Sequence, residues 1–468
     1  MMRTHRSLTL LSLLTAACGA PDQDVVLDDS GVTIEETTLV QDLVLDLSPE
    51  HATVVSVSWT SPEPTVGWVE FGLEGDAPQA TQLDDEPCTE HRFTLLGLLP
   101  SSSYGVEIFN QPDVGSAQST HASVETGPID DFGVNITVTQ VDTSRGAGGF
   151  NLLPIRGDSV DNHLAILDNE GRHVWSHLLD DVVFTRARLS ADQRSVLYNT
   201  MVSHPEDEGS VVRLSLDGSE HEVTMVPGAF LDFVEVEPGR YAALAVEVLD
   251  VGDGRLLLDE IILEVAPGEE PERVWSAAET LGFDLDQSYA TSTFGEDYEQ
   301  PWHLNSLSYD ASEDTFYVTS LIEIAVYKIH RGSGELDWTL SPRAGDFAGV
   351  PNAGALNFLP HSALPTANGV LIFDRGSRSQ SGCSAAVEYD LNLDAMTAER
   401  AWEYYTEDCQ VSGMLGNAQP LWNGNRLLVL AMNGQIDEVS SEGELLWRLN
   451  LDFGKEARFS ERFESFYR

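Results

Sequence analysis

Lysine is almost missing from this chain of 468 residues: Lys328 and Lys455 are the only two. Lysine and arginine together number 25 against 77 aspartates and glutamates, a formal net charge of -52. So acidic a surface repels the phosphates of nucleic acid and the headgroups of anionic lipid, which excludes both as partners. Cysteine is scarce too, with four in the whole chain, too few for a disulfide-dense miniature scaffold. Beyond the first residues no apolar run approaches the roughly 20 residues of a membrane-spanning helix. No acidic loop has the alternating Asp/Asn spacing of an EF-hand, so the acidity reads as solvation.

The one short apolar run lies at the start. Met1 to Arg6 is basic, Leu8 to Ala17 is apolar and Cys18 follows, so 1–18 reads as a secretory signal too short to remain as a spanning helix. Leu14-Thr15-Ala16-Ala17-Cys18 resembles a bacterial lipobox, which implies lipidation of Cys18. The expectation is an exported protein on the outer-membrane or periplasmic face of a bacterial cell envelope, touching membrane through its lipid anchor only. Residues 19–30 are polar and acidic, an expected tether. Further along, Ala385 to Tyr389 and Ala401 to Tyr405 read as two strands of a hairpin centred near residue 396. That register sets positions 383 and 409 opposite each other, within the Cα separation of about 4.4–6.8 Å that a disulfide needs. A Cys383–Cys409 bond is predicted, with Cys88 outside it.

Two folded parts are expected, both all-β. From 31 to 127, short alternating runs are broken by Pro, Gly and Ser, the pattern of a β-sandwich. Val55, Val57 and Trp59 alternate with Ser56 and Ser58, and Trp68 to Gly72 follows a proline-bearing turn. Tyr104, after Leu98-Leu99-Pro100, sits where a tyrosine corner closes a loop. This stretch resembles the fibronectin type III module, which serves elsewhere as a binding module or a spacer; a spacer is the simpler reading. From 133 to 468 a degenerate unit recurs: an apolar strand, a polar turn usually bearing Gly, and a second strand commonly ending on Trp. Its clearest copies run Leu164 to Trp175, Val326 to Trp338 and Ile436 to Trp447, and its weaker ones Arg213 to Met225, Ile262 to Trp275 and Ala386 to Trp402. Six hairpins that cannot bury their faces alone predict a six-bladed β-propeller. Trp175, Trp275, Trp338, Trp402 and Trp447 are expected in its core, and the lone His163, His173 and His177 at its surface. Periodicity fits a quinoprotein-like or purely scaffolding propeller equally well.

Chemistry-bearing residues concentrate between Pro301 and His361, where two histidines and an asparagine open successive β units. Histidine there can act as nucleophile, proton carrier or metal ligand at neutral pH. In order come Trp302-His303-x-Asn305-Ser306, then Lys328-Ile329-x-Arg331-x-x-Gly334-x-x-x-Trp338. His361 follows, then Asn368-Gly369-x-Leu371-x-x-Phe373-Asp374, Val387-Glu388-Tyr389 and Trp402-Glu403-Tyr404. This ordered set resembles the bacterial arylsulfotransferase family over about residues 150 to 450. The resemblance implies transfer of a sulfuryl group from an aryl sulfate donor to a phenolic acceptor, without a nucleotide donor, cofactor or metal. It implies that His361 is the transiently sulfated nucleophile and that His303 and Asn305 bind the sulfuryl group. A neutral imidazole attacks and leaves with comparable ease, and the sulfuryl oxygens need donors as the S–O bond breaks. Two positions depart from the family: Leu321 stands where an arginine gripping sulfate is expected, and Leu231, in Phe230-Leu231-Asp232-Phe233, falls within an expected His-His-Asp run. Arg375, Arg378 and Arg343 are the candidates to compensate. The alternative reading is a propeller that has lost turnover and serves as a ligand-binding or structural surface lipoprotein.

Overall fold

A computed structural model describes residues 39–157, 162–179, 183–350, 358–376, 382–452 and 454–467. The signal with Cys18, the tether and Arg378 lie outside those residues. Among the described residues the chain is all-β, its helices being the four residues Ala277–Thr280 and the short 3-10 turn Ala431–Asn433. Two compact units result, one running to Pro128 and including Tyr467, the other Ile129–Phe466.

In the first unit the period-two pattern buries Val55, Val57 and Trp59 while Ser56 and Ser58 stay half-buried. Val55–Leu73 is one strand of 19 residues that serves two layers. Its first part pairs with Gln41–Leu47 and Cys88–Leu95. Past the break at Ser61-Pro62-Glu63-Pro64, where the prolines offer no N–H to a ladder, its second part pairs with Gln79–Ala80 and Ser103–Pro112. Gln118–Glu125 completes that second layer. Trp59, Phe71, Tyr104 and Ile108 fill the space between. The Tyr104 hydroxyl accepts the Leu99 N–H at 2.8 Å, tying the loop back to its strand.

The second unit holds six sheets among its described residues. Sheet 1 is Phe150–Gly157, His163–Leu167 and His173–Leu178; sheet 2 is Ala187–Leu189, Ser195–Thr200, Glu208–Ser215 and His221–Pro227. Sheet 3 is Ala229–Glu237, Arg240–Gly252, Arg255–Val265 and Glu272–Ser276, extended by Gly295–Glu299, which pairs parallel to Arg255–Val265, and Thr291–Ser292; sheet 4 is Leu304–Asp310, Thr315–Ser320, Ala325–His330 and Leu336–Leu340. Sheet 5 is Pro360–Thr366, Gly369–Asp374, Ala385–Asn392 and Thr397–Tyr405; sheet 6 is Asn417–Pro420, Arg426–Leu430, Gln435–Val439 and Leu445–Leu451. Sheet 1 is completed from the other end of the unit by Lys455–Ala457 and Glu461–Phe463, both paired with Phe150–Gly157. Ile136–Gln140 adds an outer strand to sheet 6.

Each recurring hairpin of the sequence is a pair of adjacent antiparallel strands in one sheet, and the tryptophans join neighbours. The Trp175 indole donates to the Leu216 carbonyl of the next sheet at 3.0 Å. Trp447 of sheet 6 donates to the Asn169 carbonyl of sheet 1 at 2.8 Å. Trp275 lies in the cluster shared by sheets 3 and 4, and Trp338 in that shared by sheets 4 and 5. An indole burying about 200 Å² contributes about 5 kcal/mol of gross apolar stabilisation, which is why one Trp per hairpin suffices to join two sheets.

Three expectations need correction. Trp402 is only partly buried, its face taken by the Arg426 guanidinium 4.9 Å away. His163 is not at the surface: it is 0 % exposed and stacked on Phe132 at 4.2 Å, an aromatic cover contributed by the segment before sheet 1. His173 is half-buried rather than exposed, and burial, with His163 nearby, pushes it down to about 4. Cys383 and Cys409 are bonded, their Cα atoms 4.8 Å apart.

Candidate functional site

The first strands of sheets 3, 4 and 5 each carry a bulge near their start. Register passes from Ala229 to Phe233 in sheet 3, from Leu304 to Ser306 in sheet 4 and from Pro360 to Ser362 in sheet 5. The residues left outside the ladder are Phe230 to Asp232, Asn305 and His361. A bulge re-aims the side chain it displaces, and here the displaced groups meet. Phe230 stands edge-on to His303 at 6.2 Å, Asn305 donates to the Pro360 carbonyl at 3.3 Å, and the Leu415 N–H donates to His361 Nε2 at 3.2 Å. Leu231, His303 and Leu415 have φ of 52°, 50° and 59°. Left-handed backbone at a non-glycine residue costs about 1–2 kcal/mol, and such strain gathers where geometry serves function.

His361 is 5 % exposed. Burial first, then the positive charge of Arg375, then His303 and Arg186, push it down to about 3. It is therefore neutral at physiological pH. Because Nε2 accepts the Leu415 N–H, that nitrogen holds the lone pair and Nδ1 the proton, and Nδ1 is buried with no hydrogen-bond partner among the described residues. His303 is pushed down to about 4, by burial and then by Arg375. Its Nδ1 lies 3.1 Å from Gln300 Oε1, while Gln300 Nε2 donates to Glu260 Oε1 at 2.9 Å. With the amide so oriented, His303 Nδ1 carries the hydrogen and Nε2 the lone pair. Burial pushes Glu260 up to about 8.

Two arginines complete the cluster. Arg375 acts electrostatically on both histidines; its Nη1 donates to the Gly413 carbonyl at 3.1 Å and its buried Nε has no partner. Arg186 is 5 % exposed and lies over the Phe459 ring at 4.5 Å, and that ring is 5.5 Å from His361. Its Nη1 is buried without a partner, and its nearest carboxylate is Asp232 at 3.6 Å. Burial pulls Arg186 down to about 10. Both guanidiniums thus keep a buried N–H that nothing among the described residues binds, an arrangement costly to leave unfilled and suited to an anion with several oxygens.

Of the residues the sequence singled out, His303, Asn305, His361 and Arg375 come together. Asn305 is 0 % exposed; its Oδ1 accepts the Thr319 hydroxyl, and its amide ties sheet 4 to the carbonyl before His361. Leu321 meets His303 only through its backbone, its N–H donating to the His303 carbonyl at 3.0 Å. Arg343 is exposed and turned to the Ile322 carbonyl, so it does not join the cluster. Arg186, Gln300 and Glu260 were not read from the sequence. Arg186 belongs to no motif, and Glu260 is one of three acids, with Asp259 and Glu264, in the otherwise apolar run Leu256 to Val265, where acids among strand apolar residues were themselves a signal of buried roles.

The sequence pattern of the arylsulfotransferase (ASST) family matches residues 135–444. No curated protein matches the chain. Solved structures similar to it include a functionally unknown protein from Desulfotomaculum acetoxidans, 10 % identical over 73 % of this chain and 90 % of that one, with a TM-score of 0.35. A protein from Lactobacillus plantarum is 13 % identical over 64 % of this chain and 80 % of that one, TM-score 0.38. The Cps50 (Swd1) β-propeller domain of Myceliophteria thermophila is 13 % identical over 69 % and 91 %, TM-score 0.36. At such scores these likenesses carry nothing further.

Proposed function

Because the chain belongs to the arylsulfotransferase family, we propose that it transfers a sulfuryl group from an aryl sulfate to a phenolic acceptor through a sulfohistidine at His361. The observation that carries this reading is a pair of guanidiniums, Arg186 buried and Arg375 half-buried, each with one buried N–H unpartnered among the described residues, beside two neutral histidines, in a chain whose net charge is -52. Cations so placed serve an anion.

His361 Nε2 attacks sulfur, an N–S bond forms, and the S–O bond breaks with its electron pair leaving on the aryloxide. The aryloxide takes up one proton, the equivalent of the one on His361 Nδ1. The acceptor phenol then gives its proton to His303 Nε2, its oxygen attacks sulfur as the N–S bond breaks, and the proton held by His303 passes to the departing His361 imidazole, leaving both imidazoles neutral. Arg375 and Arg186 hold the sulfuryl oxygens where the family's arginine, at Leu321, and histidine, at Leu231, are missing. The Leu415 N–H, released when Nε2 attacks, becomes a further donor, and Asn305 holds the segment that carries His361.

The finer architecture belongs to the same proposal. Six sheets, each packed on its neighbours, with sheet 1 completed by C-terminal strands, support a six-bladed propeller over 133–468. A two-layer arrangement with Tyr104 hydrogen-bonded to its loop supports a fibronectin type III-like module over 31–127. Export and a lipid anchor at Cys18 rest on the signal sequence. The competing reading, a scaffold without turnover, draws on Phe230, an apolar ring against His303. Steady-state rates with 4-nitrophenyl sulfate and a phenol acceptor decide between them. Phenol-dependent nitrophenol release with ping-pong kinetics is expected, abolished in His361→Asn; no release at any donor concentration supports the scaffold.

A further inference from the structure

We propose that Asp84, Cys88 and His91, in the first unit, form a zinc site unrelated to sulfuryl transfer. The three ligand atoms lie within 4.8 Å of one another. His91, with no exposed side-chain surface, places Nδ1 2.5 Å from Asp84 Oδ2 and 3.6 Å from Cys88 Sγ. On its other side, His91 Nε2 faces Ser61 Oγ at 3.2 Å and Thr65 Oγ1 at 3.1 Å. Both hydroxyl hydrogens are used elsewhere, Ser61 donating to the Glu63 carbonyl at 2.8 Å and Thr65 to Asn110 Oδ1 at 3.1 Å. The hydroxyls therefore accept, and Nε2 carries the hydrogen. Such a hydrogen bond from the far nitrogen orients a metal-binding histidine.

Nδ1 then turns its lone pair on a carboxylate oxygen, which also accepts the Gly67 N–H at 2.9 Å. Two electron-rich atoms 2.5 Å apart require a cation between them. A proton meets that need in the metal-free protein, and zinc meets it with the same net charge. Binding Zn²⁺ displaces two protons, one from His91 Nδ1 and one from the Cys88 thiol, which donates to the Glu90 carbonyl at 3.1 Å. Zinc bonds of about 2.3 Å to sulfur and about 2.0 Å to nitrogen set S···N near 3.5 Å in a tetrahedron, the separation already present. Asp84, whose side chain is 12 % exposed, has to swing away from His91 Nδ1 by under about 1 Å and toward Cys88 Sγ by about 1 Å to reach the matching N···O and S···O distances. Room for the ion is left by Gly67: a Cβ there would fall 2.8 Å from His91 Nδ1 and 3.0 Å from Asp84 Oδ2. A mixed S, N, O set of this kind suits zinc, with the fourth position open to water.

The test uses the full chain, stripped with a chelator and titrated with Zn²⁺ and, separately, Co²⁺. Expected are one tightly held ion per chain at micromolar metal, release of two protons, and a thiolate-to-cobalt charge-transfer band. Trp59, stacked on His91 at 4.7 Å, should report binding by fluorescence. Cys88→Ser should remove the cobalt band and weaken zinc at least tenfold while near-ultraviolet circular dichroism stays native, and Asp84→Asn should weaken zinc with the band retained. Zinc uptake identical in wild type and Cys88→Ser, with no thiolate band, would mean scattered binding to the acidic surface and overturns the site. No uptake at micromolar zinc overturns it as well.

Discussion

Replacing Arg375 by methionine keeps an unbranched apolar stem close to that of the arginine and removes its charge. One donor aimed at developing negative charge is worth about 3–4 kcal/mol, so kcat/KM for an aryl sulfate should fall about 100- to 1,000-fold. Stability should hardly change. The Nη1 bond to Gly413 contributes about 1 kcal/mol net, and the buried, unpartnered Nε costs about as much. The pH profile supplies a second signature. Arg375 is the second cause, after burial, of the low values of both histidines, so its removal raises them. kcat/KM is lost when His361 gains a proton, hence the acid limb should move upward from about 3. Arg375→Lys retains the charge without the planar fork: its rate should recover in part and its acid limb should stay near the wild-type position. Initial rates of phenol release across pH, paired with thermal melts, measure all of this. An unchanged kcat/KM in a folded Arg375→Met protein, or an acid limb that does not move, refutes the reasoning.

Other consequences follow from buried charge and covalent bracing. Asp232 is 1 % exposed and lies 3.6 Å from Arg186 and 3.3 Å from Arg188; Asp232→Asn removes their paired carboxylate and leaves them Glu461, and should cost about 3 kcal/mol in denaturant titration. Opening Cys383–Cys409, 26 residues apart, should cost about 3.5 kcal/mol by chain entropy. It should also lower kcat, because the segment after Cys409 supplies the Gly413 carbonyl to Arg375 and the Leu415 N–H to His361; melts and rates with and without reductant check both. Glu260 rises from 4.5 unfolded to about 8 folded, so its contribution is fully present below 4.5 and is lost as pH rises through 8. Glu260→Gln should flatten that decline, by at most about 1.4 kcal/mol per pH unit.

The sequence carried the parts of the fold that repeat. Each strand–turn–strand unit could be read because its apolar strands, and in most copies a closing Trp, pack against a neighbour, and all six units are pairs of adjacent antiparallel strands within one sheet. The inner strands were less legible, since they are buried on both faces and lack alternation: Ser195–Thr200, buried at all but its last position, belongs to none of the recurring units. Completion of sheet 1 by Lys455–Ala457 and Glu461–Phe463 depends on partners some three hundred residues away, which local pattern does not encode. In the site, His303, Asn305, His361 and Arg375 were legible through motif order or proximity in sequence. Arg186 was not, because its partners Asp232 and Phe459 are distant in the chain and only the fold brings them to His361.

Intact-mass measurement after rapid quenching, with aryl sulfate present and no acceptor, tests the central claim most directly. The account predicts a burst of one phenol per chain, a mass gain of one SO3 that maps to the peptide carrying His361, and loss of that gain on adding phenol. A protein that binds aryl sulfate yet gives neither burst nor mass gain, or whose modification survives in His361→Asn, contradicts it.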